Sequence, residues 1–290
     1  MTPHSPAPRF VSILSDYGFK ATFGNQANTH FLGRALQALI NSPTPIREVS
    51  FIQNEMQGLT IDSRAGIYDV FCTDEVGNQF IIEMQVGTYP DFIQRMKFYA
   101  LFRLNTLIRK GNYKFAGLPK IYCIGILAST IFPHIGAYHN VGTLQNATGE
   151  PMDEQTVFIT VELAKFNKPI ERITSDLDKL LYTMKTVDTL TEPTQYPAFW
   201  TEEWLQTAIR ELDTRAMTPE ERMIYEMTLA TNAVAIQNEE AKIQQAQEAV
   251  KTTMVVKALR RGKLTLEEIA EDCEVSLTFV EATQKELANL

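Results

Sequence analysis

The stretch Asp69–Gln85 reads DVFCTDEVGNQFIIEMQ, a pattern that is typical of a β-hairpin. Both ends are apolar and rich in β-forming residues, whereas the middle consists of turn-forming residues and includes a glycine. If the turn is centred on Val76, Asp69 lies directly opposite Glu83. Because side chains alternate along a strand, Asp69, Glu83 and Gln85 are then predicted to share one face of the hairpin.

Two facing carboxylates of this kind lie roughly 5 Å apart, which destabilises the pair unless positive charge lies between them. Glu83 also belongs to residues 80–86, a segment that is apolar on both faces and so resembles an interior strand. A carboxylate there either has a raised pKa or binds a cation, and Mg²⁺ is commonly held by one or two carboxylates with water and phosphate. The alternative is an edge hairpin with solvated carboxylates, and the residues alone leave both possibilities open.

The composition of the whole chain fits a globular protein of one or two domains, with 290 residues and 44% hydrophobic content. Residues 1–12 are Pro-rich and polar at their start, so we expect a flexible tail and no signal peptide. The longest nearly apolar run, residues 121–132, is too short to span a bilayer. Cys72, Cys123 and Cys273 have no spacing typical of zinc sites or disulfides, which favours a reducing cytoplasm.

Charge is divided unevenly along the chain, whose formal net charge is −8. Residues 1–170 carry 14 Lys and Arg against 13 Asp and Glu, whereas residues 171–290 carry 13 against 22. The acidic excess therefore belongs to the C-terminal part and does not argue against nucleic-acid binding by the N-terminal part.

Hydrophobic periodicity predicts an α/β region followed by an all-α region. In chain order we predict a helix over 28–41, strands over 46–54, 67–73 and 79–86, a helix over 90–110, and strands over 121–127 and 157–163. A crossover helix between two strands implies that they pair in parallel. His134 and His139 are predicted to lie in the loop between the last two strands.

From residue 171 onward the pattern is helical. The segment Thr218–Glu221 predicts a capping box with proline at the first helical position, and the long helix that follows covers about 218–261. Such a helix is a spacer, a strut or a means of forming a homo-oligomer. A second capping box, Thr265–Glu268, starts a helix-turn-helix-like hairpin over 265–288, which is too poor in basic residues to favour DNA reading over packing or partner binding.

The helix after the opening hairpin is basic, and Asp91 is the only acidic residue between positions 91 and 120. One interpretation is a solvated helix face, and the other is a surface that follows the phosphates of DNA beside a bound ion. On the second interpretation the residues predicted to contact DNA are Arg95, Lys97, Tyr99 and Arg103.

The order helix, three strands, helix, strand, with an Asp and a Glu facing each other on the hairpin, resembles the core of PD-(D/E)XK nucleases. More specifically, the chain resembles the PD-(D/E)XK nuclease family transposases, also called the Rpn family of recombination-promoting nucleases, over about residues 14–170. The resemblance is carried by Asp16, Phe19, Lys20, Phe23, Gly24, Asp69-Val70, Glu83-Met84-Gln85, Arg95, Tyr99, Gly111-Asn112-Tyr113, Tyr138-His139 and Glu162-Leu163-Ala164-Lys165-Phe166. It implies a restriction-endonuclease-like domain over 13–170, with a mixed central sheet flanked by helices, and a helical region over 171–290.

The resemblance further implies metal-dependent cleavage of DNA phosphodiesters by a bacterial protein associated with recombination or transposition. By position, Asp69 and Glu83 would bind Mg²⁺, or Mn²⁺ or Ca²⁺, together with the backbone carbonyl of Met84. Asp16 would add a third carboxylate.

The chain departs from the wider superfamily at Gln85, which stands where the signature lysine would orient the attacking water and offset negative charge. Glutamine can orient water through hydrogen bonds but cannot supply positive charge. Lys20 or Arg95 could supply it from elsewhere. The departure keeps a second function open, in which the nuclease fold acts as a DNA-binding or protein-interaction module with weak or no catalysis.

Overall fold

A mixed six-stranded sheet is the central feature of the computed structural model, which describes residues 9–52, 69–87, 91–108, 115–190 and 192–288. The strands are β1 (Val49–Phe51), β2 (Val70–Asp74), β3 (Gln79–Gln85), β4 (Ile121–Leu127), β5 (His139–Gln145) and β6 (Pro151–Glu162). Their spatial order is β1-β2-β3-β4-β6-β5. The β3–β4 and β4–β6 pairs are parallel, as predicted for β3 and β4 from the helix between them, and the other pairs are antiparallel.

Helices flank the sheet and make up the C-terminal region. They are α1 (Asp16–Thr22), α2 (His30–Leu39), α3 (Phe92–Leu107), α4 (Asp176–Thr186), α5 (Glu203–Leu212), α6 (Pro219–Arg261), α7 (Leu266–Asp272) and α8 (Leu277–Ala288). The predicted α/β class, with an all-α C-terminal region, is confirmed. The predicted element ends at Asn54, Ile67, Pro90 and Lys110 lie outside the described residues. No helix in the described ranges combines the length and the apolar character that crossing a membrane requires.

The sequence prediction missed the edge strand β5 and placed the start of β6 too late. His139, predicted to lie in a loop, is the first residue of β5, and its Nε2 lies 2.7 Å from the carbonyl oxygen of Leu39 at the end of α2. No residue of β5 is fully buried. The strand therefore lacks the apolar run from which a buried strand is predicted.

Helix α3 covers one face of the sheet through a single apolar cluster, comprising Phe71, Ile81, Phe92, Met96, Tyr99, Ala100, Ile121, Cys123 and Leu127. The closest approach is at Gly125, where an added Cβ would lie 2.6 Å from Cε1 of Phe92 and 3.2 Å from Sδ of Met96. Any larger residue would therefore push α3 away from the sheet. Gly125 pairs with Glu83 across the β3–β4 ladder, so this contact fixes the start of α3 beside Glu83.

The compact unit that contains the sheet extends to Arg222, beyond the boundary predicted at residue 170. Helices α4 and α5 belong to it, because Arg34 of α2 forms an ion pair with Asp176 at 2.6 Å and Phe31 stacks on Trp204 with ring centroids 5.9 Å apart. The sequence pattern is helical from residue 171 onward, so it does not indicate that the unit ends near Arg222.

The predicted flexible tail over 1–12 is wrong for residues 9–12, whereas residues 1–8 lie outside the described ranges. Phe10 and Val11 are buried, and the backbone N–H of Val11 donates to the carbonyl oxygen of Leu212 at 2.9 Å. The side chain of Arg9 forms an ion pair with Asp213 at 3.2 Å. The prolines at the start of the chain favoured the prediction of a tail, although residues 9–12 form a short ordered segment that is anchored to the end of α5.

The second compact unit, residues 223–290, contains most of α6 together with α7 and α8. Both predicted capping boxes are present: Glu221 N–H donates to Oγ1 of Thr218 at 3.2 Å, and Glu268 N–H donates to Oγ1 of Thr265 at 3.3 Å. A small core joins the end of α6 to the predicted helical hairpin and consists of Val255, Ile269, Ala270, Cys273 and Val280.

Candidate active site

The hairpin formed by β2 and β3 has the register predicted from the sequence. Val70 pairs with Ile82, which places Asp69, one residue before β2, opposite Glu83. Gly77 has a φ of 90°, the left-handed conformation that the turn requires.

The turn is closed by Asp74, whose Oδ1 accepts hydrogen bonds from the backbone N–H groups of Val76 at 3.1 Å and Asn78 at 2.8 Å. A turn of fixed length leaves one register available, and that register determines which side chains meet.

Asp69 is tied to the other strand by its own side chain. Its Oδ2 accepts a hydrogen bond from the backbone N–H of Met84 at 2.7 Å. Burial raises the pKa of Asp69, and the charge of Asp16 raises it further, while the Met84 hydrogen bond, Lys20 and Arg95 lower it.

Glu83 is the more deeply buried carboxylate of the pair, with 5% of its surface exposed. Its Oε2 lies 3.3 Å from Nη2 of Arg95, whereas its Oε1 is buried and accepts no hydrogen bond in the described part of the chain. Burial, followed by the charge of Asp69, raises the pKa of Glu83 to about 8, although Arg95 and the backbone N–H of Asp69 oppose the rise. At neutral pH without a cation, Glu83 is therefore mostly protonated.

Arg95 reaches this pair from the first turn of α3. Its Nη2 contacts both Oε2 of Glu83 at 3.3 Å and Oε1 of Gln85 at 3.1 Å. Its guanidinium carbon lies 5.5 Å from the ring centroid of Phe92, the residue that fits against Gly125. Glu83, Gln85 and Arg95 thus form one hydrogen-bonded group on the face of the sheet that α3 covers.

The backbone of Met84 is directed toward the same edge of β3 as Asp69. In a strand the N–H and the C=O of one residue point to the same side, and the N–H of Met84 points to Asp69. The neighbouring residue, Gln85, points the other way, since its carbonyl oxygen accepts a hydrogen bond from Ala128 at 2.9 Å. The carbonyl of Met84 is therefore available on the side of the Asp69 carboxylate, as the sequence prediction requires.

Asp16 and Lys20, one helical turn apart on α1, form an ion pair at 2.9 Å. Their side chains are 55% and 63% exposed, so the pair is solvated and contributes little to stability. Both charges nevertheless act on the pKa of Asp69. The predicted third carboxylate and one of the two predicted cations therefore lie at the rim of the site, with the charge of each offset by the other.

The remaining three predicted residues of α3 lie in different surroundings. Tyr99 is buried; burial raises the pKa of its hydroxyl, with Glu83 raising it further. Lys97 is exposed. Arg103 lies toward the turn end of β3, where its Nε donates to Oε1 of Gln79 at 2.7 Å and its guanidinium covers the ring of Phe71 at 4.9 Å.

A divalent cation fits the donors at this site. Among the described residues, no group of three or more His, Cys, Asp or Glu side chains lies close enough together to hold a metal ion. Two carboxylates and one backbone carbonyl, all hard oxygen donors, nevertheless suit Mg²⁺, which usually keeps several waters and binds substrate phosphate. In the part of the chain that the structure describes, nothing donates to the buried Oε1 of Glu83, which leaves this oxygen as an acceptor for such an ion.

Comparison with known proteins agrees with this geometry. The sequence profile of the PD-(D/E)XK nuclease family transposases matches residues 13–258. The chain belongs to this family. A search of curated proteins and a search of solved structures gave no match.

Membership of the PD-(D/E)XK nuclease transposase family indicates a nuclease role for the chain, and DNA is the substrate that such a role implies. The match runs from α1 to within α6, so it includes helices α4 and α5, which the sequence interpretation had separated from the nuclease domain.

The sequence interpretation did not detect how α3 is held at the site. The close contact between Phe92 and Gly125 places Arg95 beside Glu83. Phe92 and Gly125 are far apart in sequence, so no local pattern indicates that they meet. A glycine in the middle of an otherwise apolar strand was the available signal, because such a glycine often marks the close approach of another element.

The raised pKa of Glu83 predicts a specific pH dependence of stability for the metal-free protein. A carboxyl group whose folded-state pKa lies above its unfolded value stabilises the fold at low pH and loses that contribution as pH rises toward about 8. Glu83→Gln should therefore gain, relative to the wild type, on the order of 3 kcal/mol in free energy of unfolding between pH 5 and pH 9. Chemical denaturation in EDTA at the two pH values measures this difference.

The exposed Glu171→Gln is the matched control, for which the difference from the wild type should stay constant with pH. A Glu83→Gln difference that is equally independent of pH would show that Glu83 is ionised at neutral pH in the folded protein.

Proposed function

We propose that this protein is a divalent-metal-dependent DNA endonuclease that hydrolyses phosphodiester bonds. The single observation that supports this most strongly is the Asp69–Glu83 pair. In this pair a buried carboxylate oxygen, to which no described residue donates a hydrogen bond, faces a second carboxylate across a hairpin. A protein whose hairpin is only structural would gain stability by replacing such a pair with apolar residues.

When bound, the cation would polarise a phosphoryl oxygen and lower the pKa of the attacking water. Asp69, Glu83 and the carbonyl of Met84 would hold it, and the Met84 N–H fixes the orientation of the Asp69 carboxylate. In the reaction, the water oxygen forms a bond to phosphorus, the bond from phosphorus to one sugar oxygen breaks with its electron pair, and that sugar oxygen takes up a proton. Asp16 and Lys20 lie at the rim, where Lys20 can contact the phosphate backbone.

We further propose DNA contacts for four residues of α3, which are Arg95, Lys97, Tyr99 and Arg103. The surroundings of these residues support the proposal to different degrees. Lys97 is exposed on α3 and can reach a phosphate, whereas Tyr99 is buried and Arg103 is engaged by Gln79. Sequence-independent contact with the DNA backbone would come from such exposed cations.

We also propose a cytoplasmic, bacterial protein with a role in recombination or transposition. The transposase description of the family supports the role, and three free, buried cysteines fit a reducing compartment. Self-association through α6 is a further proposal, supported by its length of 43 residues and by exposed apolar side chains such as Val250 and Met254.

The direct test incubates the purified protein with supercoiled plasmid in Mg²⁺, Mn²⁺ or Ca²⁺ and in EDTA. We expect nicked and linear DNA in at least one of the metals and none in EDTA. Thermal unfolding in the same solutions should show a melting temperature that rises with metal concentration. If DNA binding persists without metal and no substrate is cleaved, the chain is instead a binding module that has kept the nuclease fold.

A further inference from the structure

A PD-(D/E)XK site in which glutamine replaces the signature lysine needs positive charge from another residue. Gln85 is uncharged, and its amide can only orient water or phosphate through hydrogen bonds. Among the described residues, the cations to consider either act on Asp69 or Glu83 or belong to α3, and they are Lys20, Arg95, Lys97 and Arg103. Arg103 lies toward the turn end of β3, where it donates to Gln79.

We infer that Arg95, reaching across from α3, supplies the positive charge that the lysine provides in other PD-(D/E)XK nucleases, and that it does so by stabilising the transition state. The inference rests on the proposed endonuclease function. It assigns to Arg95 a role at the reacting phosphate, and no role in general DNA affinity.

Contact geometry favours Arg95 over the other cations. Its Nη2 lies 3.3 Å from Glu83 and 3.1 Å from Gln85, so the charge lies beside the side chain at the lysine position. Lys20 is paired with Asp16 and is 63% exposed, so solvent and a carboxylate offset its charge. Lys97 is two residues from Arg95 and therefore points to a different side of α3.

The surroundings of Arg95 hold it in position before any substrate binds. Its side chain is 34% exposed and lies over Phe92, which is itself locked against Gly125. Fixed donors that need no reorganisation during the reaction are the most effective at stabilising developing charge. An arginine keeps its proton at every working pH, so Arg95 contributes charge and hydrogen bonds and transfers no proton.

Gln85 is oriented by the same contact. Since a guanidinium has donors only, the amide must present its oxygen to Arg95, which leaves the two N–H groups of Gln85 to donate to water or phosphate. Arg95 and Gln85 would thus divide between them what one lysine does elsewhere, with charge from the arginine and water orientation from the amide.

The test compares Arg95→Met, Gln85→Lys and the double variant Arg95→Met/Gln85→Lys with the wild type. Arg95→Met should lower kcat for plasmid nicking by about 10²- to 10³-fold, with DNA affinity in Ca²⁺ changed by less than about threefold. In the double variant, lysine at position 85 restores charge at the same place, so kcat should recover at least about tenfold over Arg95→Met. Lys285→Met, which removes an exposed cation from α8, is the control, for which kcat should not change.

A second readout distinguishes transition-state charge from a merely structural role. Arg95 repels a bound cation but also favours the ionised form of Glu83 that would hold it, and these two effects oppose each other. The Ca²⁺ affinity of Arg95→Met, measured by calorimetry, should therefore stay within about threefold of that of the wild type. Weaker Ca²⁺ binding with a lower melting temperature, and no rescue by Gln85→Lys, would show that Arg95 only supports Glu83 and would overturn the inference.

The same set of proteins separates failure of the inference from failure of the proposed function. An active wild type with an equally active Arg95→Met overturns the role of Arg95 alone. An inert wild type with an active Gln85→Lys shows that the metal site works but that Arg95 does not supply sufficient charge, which also overturns the inference. If the wild type and Gln85→Lys are both inert with every metal, the endonuclease function fails and the role of Arg95 with it.

Discussion

Replacing Asp69 with asparagine is expected to lower metal-dependent plasmid cleavage on the order of 10³-fold while leaving the protein folded. Asparagine keeps a side-chain oxygen that can accept the Met84 N–H, so the link across the hairpin is retained. The variant loses the negative charge that would hold the cation opposite Glu83. The rate of supercoiled plasmid loss in Mg²⁺ or Mn²⁺ measures the effect.

Asp153→Asn, which removes an exposed carboxylate from β6, is the matched control and should cleave at the wild-type rate. The metal-dependent rise in melting temperature should be lost in Asp69→Asn and kept in the control. Equal nicking by the wild type and Asp69→Asn would show that the observed cleavage comes from another site or from a contaminant.

Removing Lys165 should lower the free energy of unfolding far more than removing an exposed lysine does. Glu162 is completely buried at the end of β6, and its carboxylate accepts no hydrogen bond in the described residues, so the ion pair with Lys165 is what offsets its charge. The Nζ of Lys165 also donates to the carbonyl oxygens of Phe132 at 2.8 Å and Ile135 at 2.7 Å. Lys165→Met should therefore lower the free energy of unfolding by about 3–5 kcal/mol, measured by chemical denaturation.

Two variants test the physical reason for that loss. Lys120→Met removes a lysine whose partner, Glu154, is 62% exposed, and should cost less than about 1 kcal/mol. The double variant Glu162→Leu/Lys165→Met replaces the pair with apolar groups and should recover much of the lost stability. If Lys165→Met costs no more than Lys120→Met, Glu162 is neutralised by another route.

The sequence was sufficient wherever structure depends on neighbours along the chain. A turn of fixed length with glycine in the left-handed position sets the register of β2 and β3, and the register alone places Asp69 opposite Glu83. The capping boxes at Thr218 and Thr265 are equally local and were also predicted correctly.

Prediction from the sequence failed where the position of a segment depends on residues that are far away along the chain. β5 was missed because an edge strand with little buried surface has no distinctive apolar pattern, and its position comes from pairing with β6. Phe10 and Val11 were assigned to a tail because their burial depends on Leu212, some two hundred residues away along the chain.

The amino-acid sequence by itself thus determined the hairpin, the face on which its two carboxylates lie, and the family to which the chain belongs. Only the tertiary structure decided the electrostatics of that face. Burial under α3 raises the pKa of Glu83 to about 8, and the contact of Phe92 with Gly125 brings Arg95 within hydrogen-bonding distance of Glu83 and Gln85. Desolvation and the approach of a distant charge depend on how helix and sheet pack, and packing is not encoded in any local run of residues.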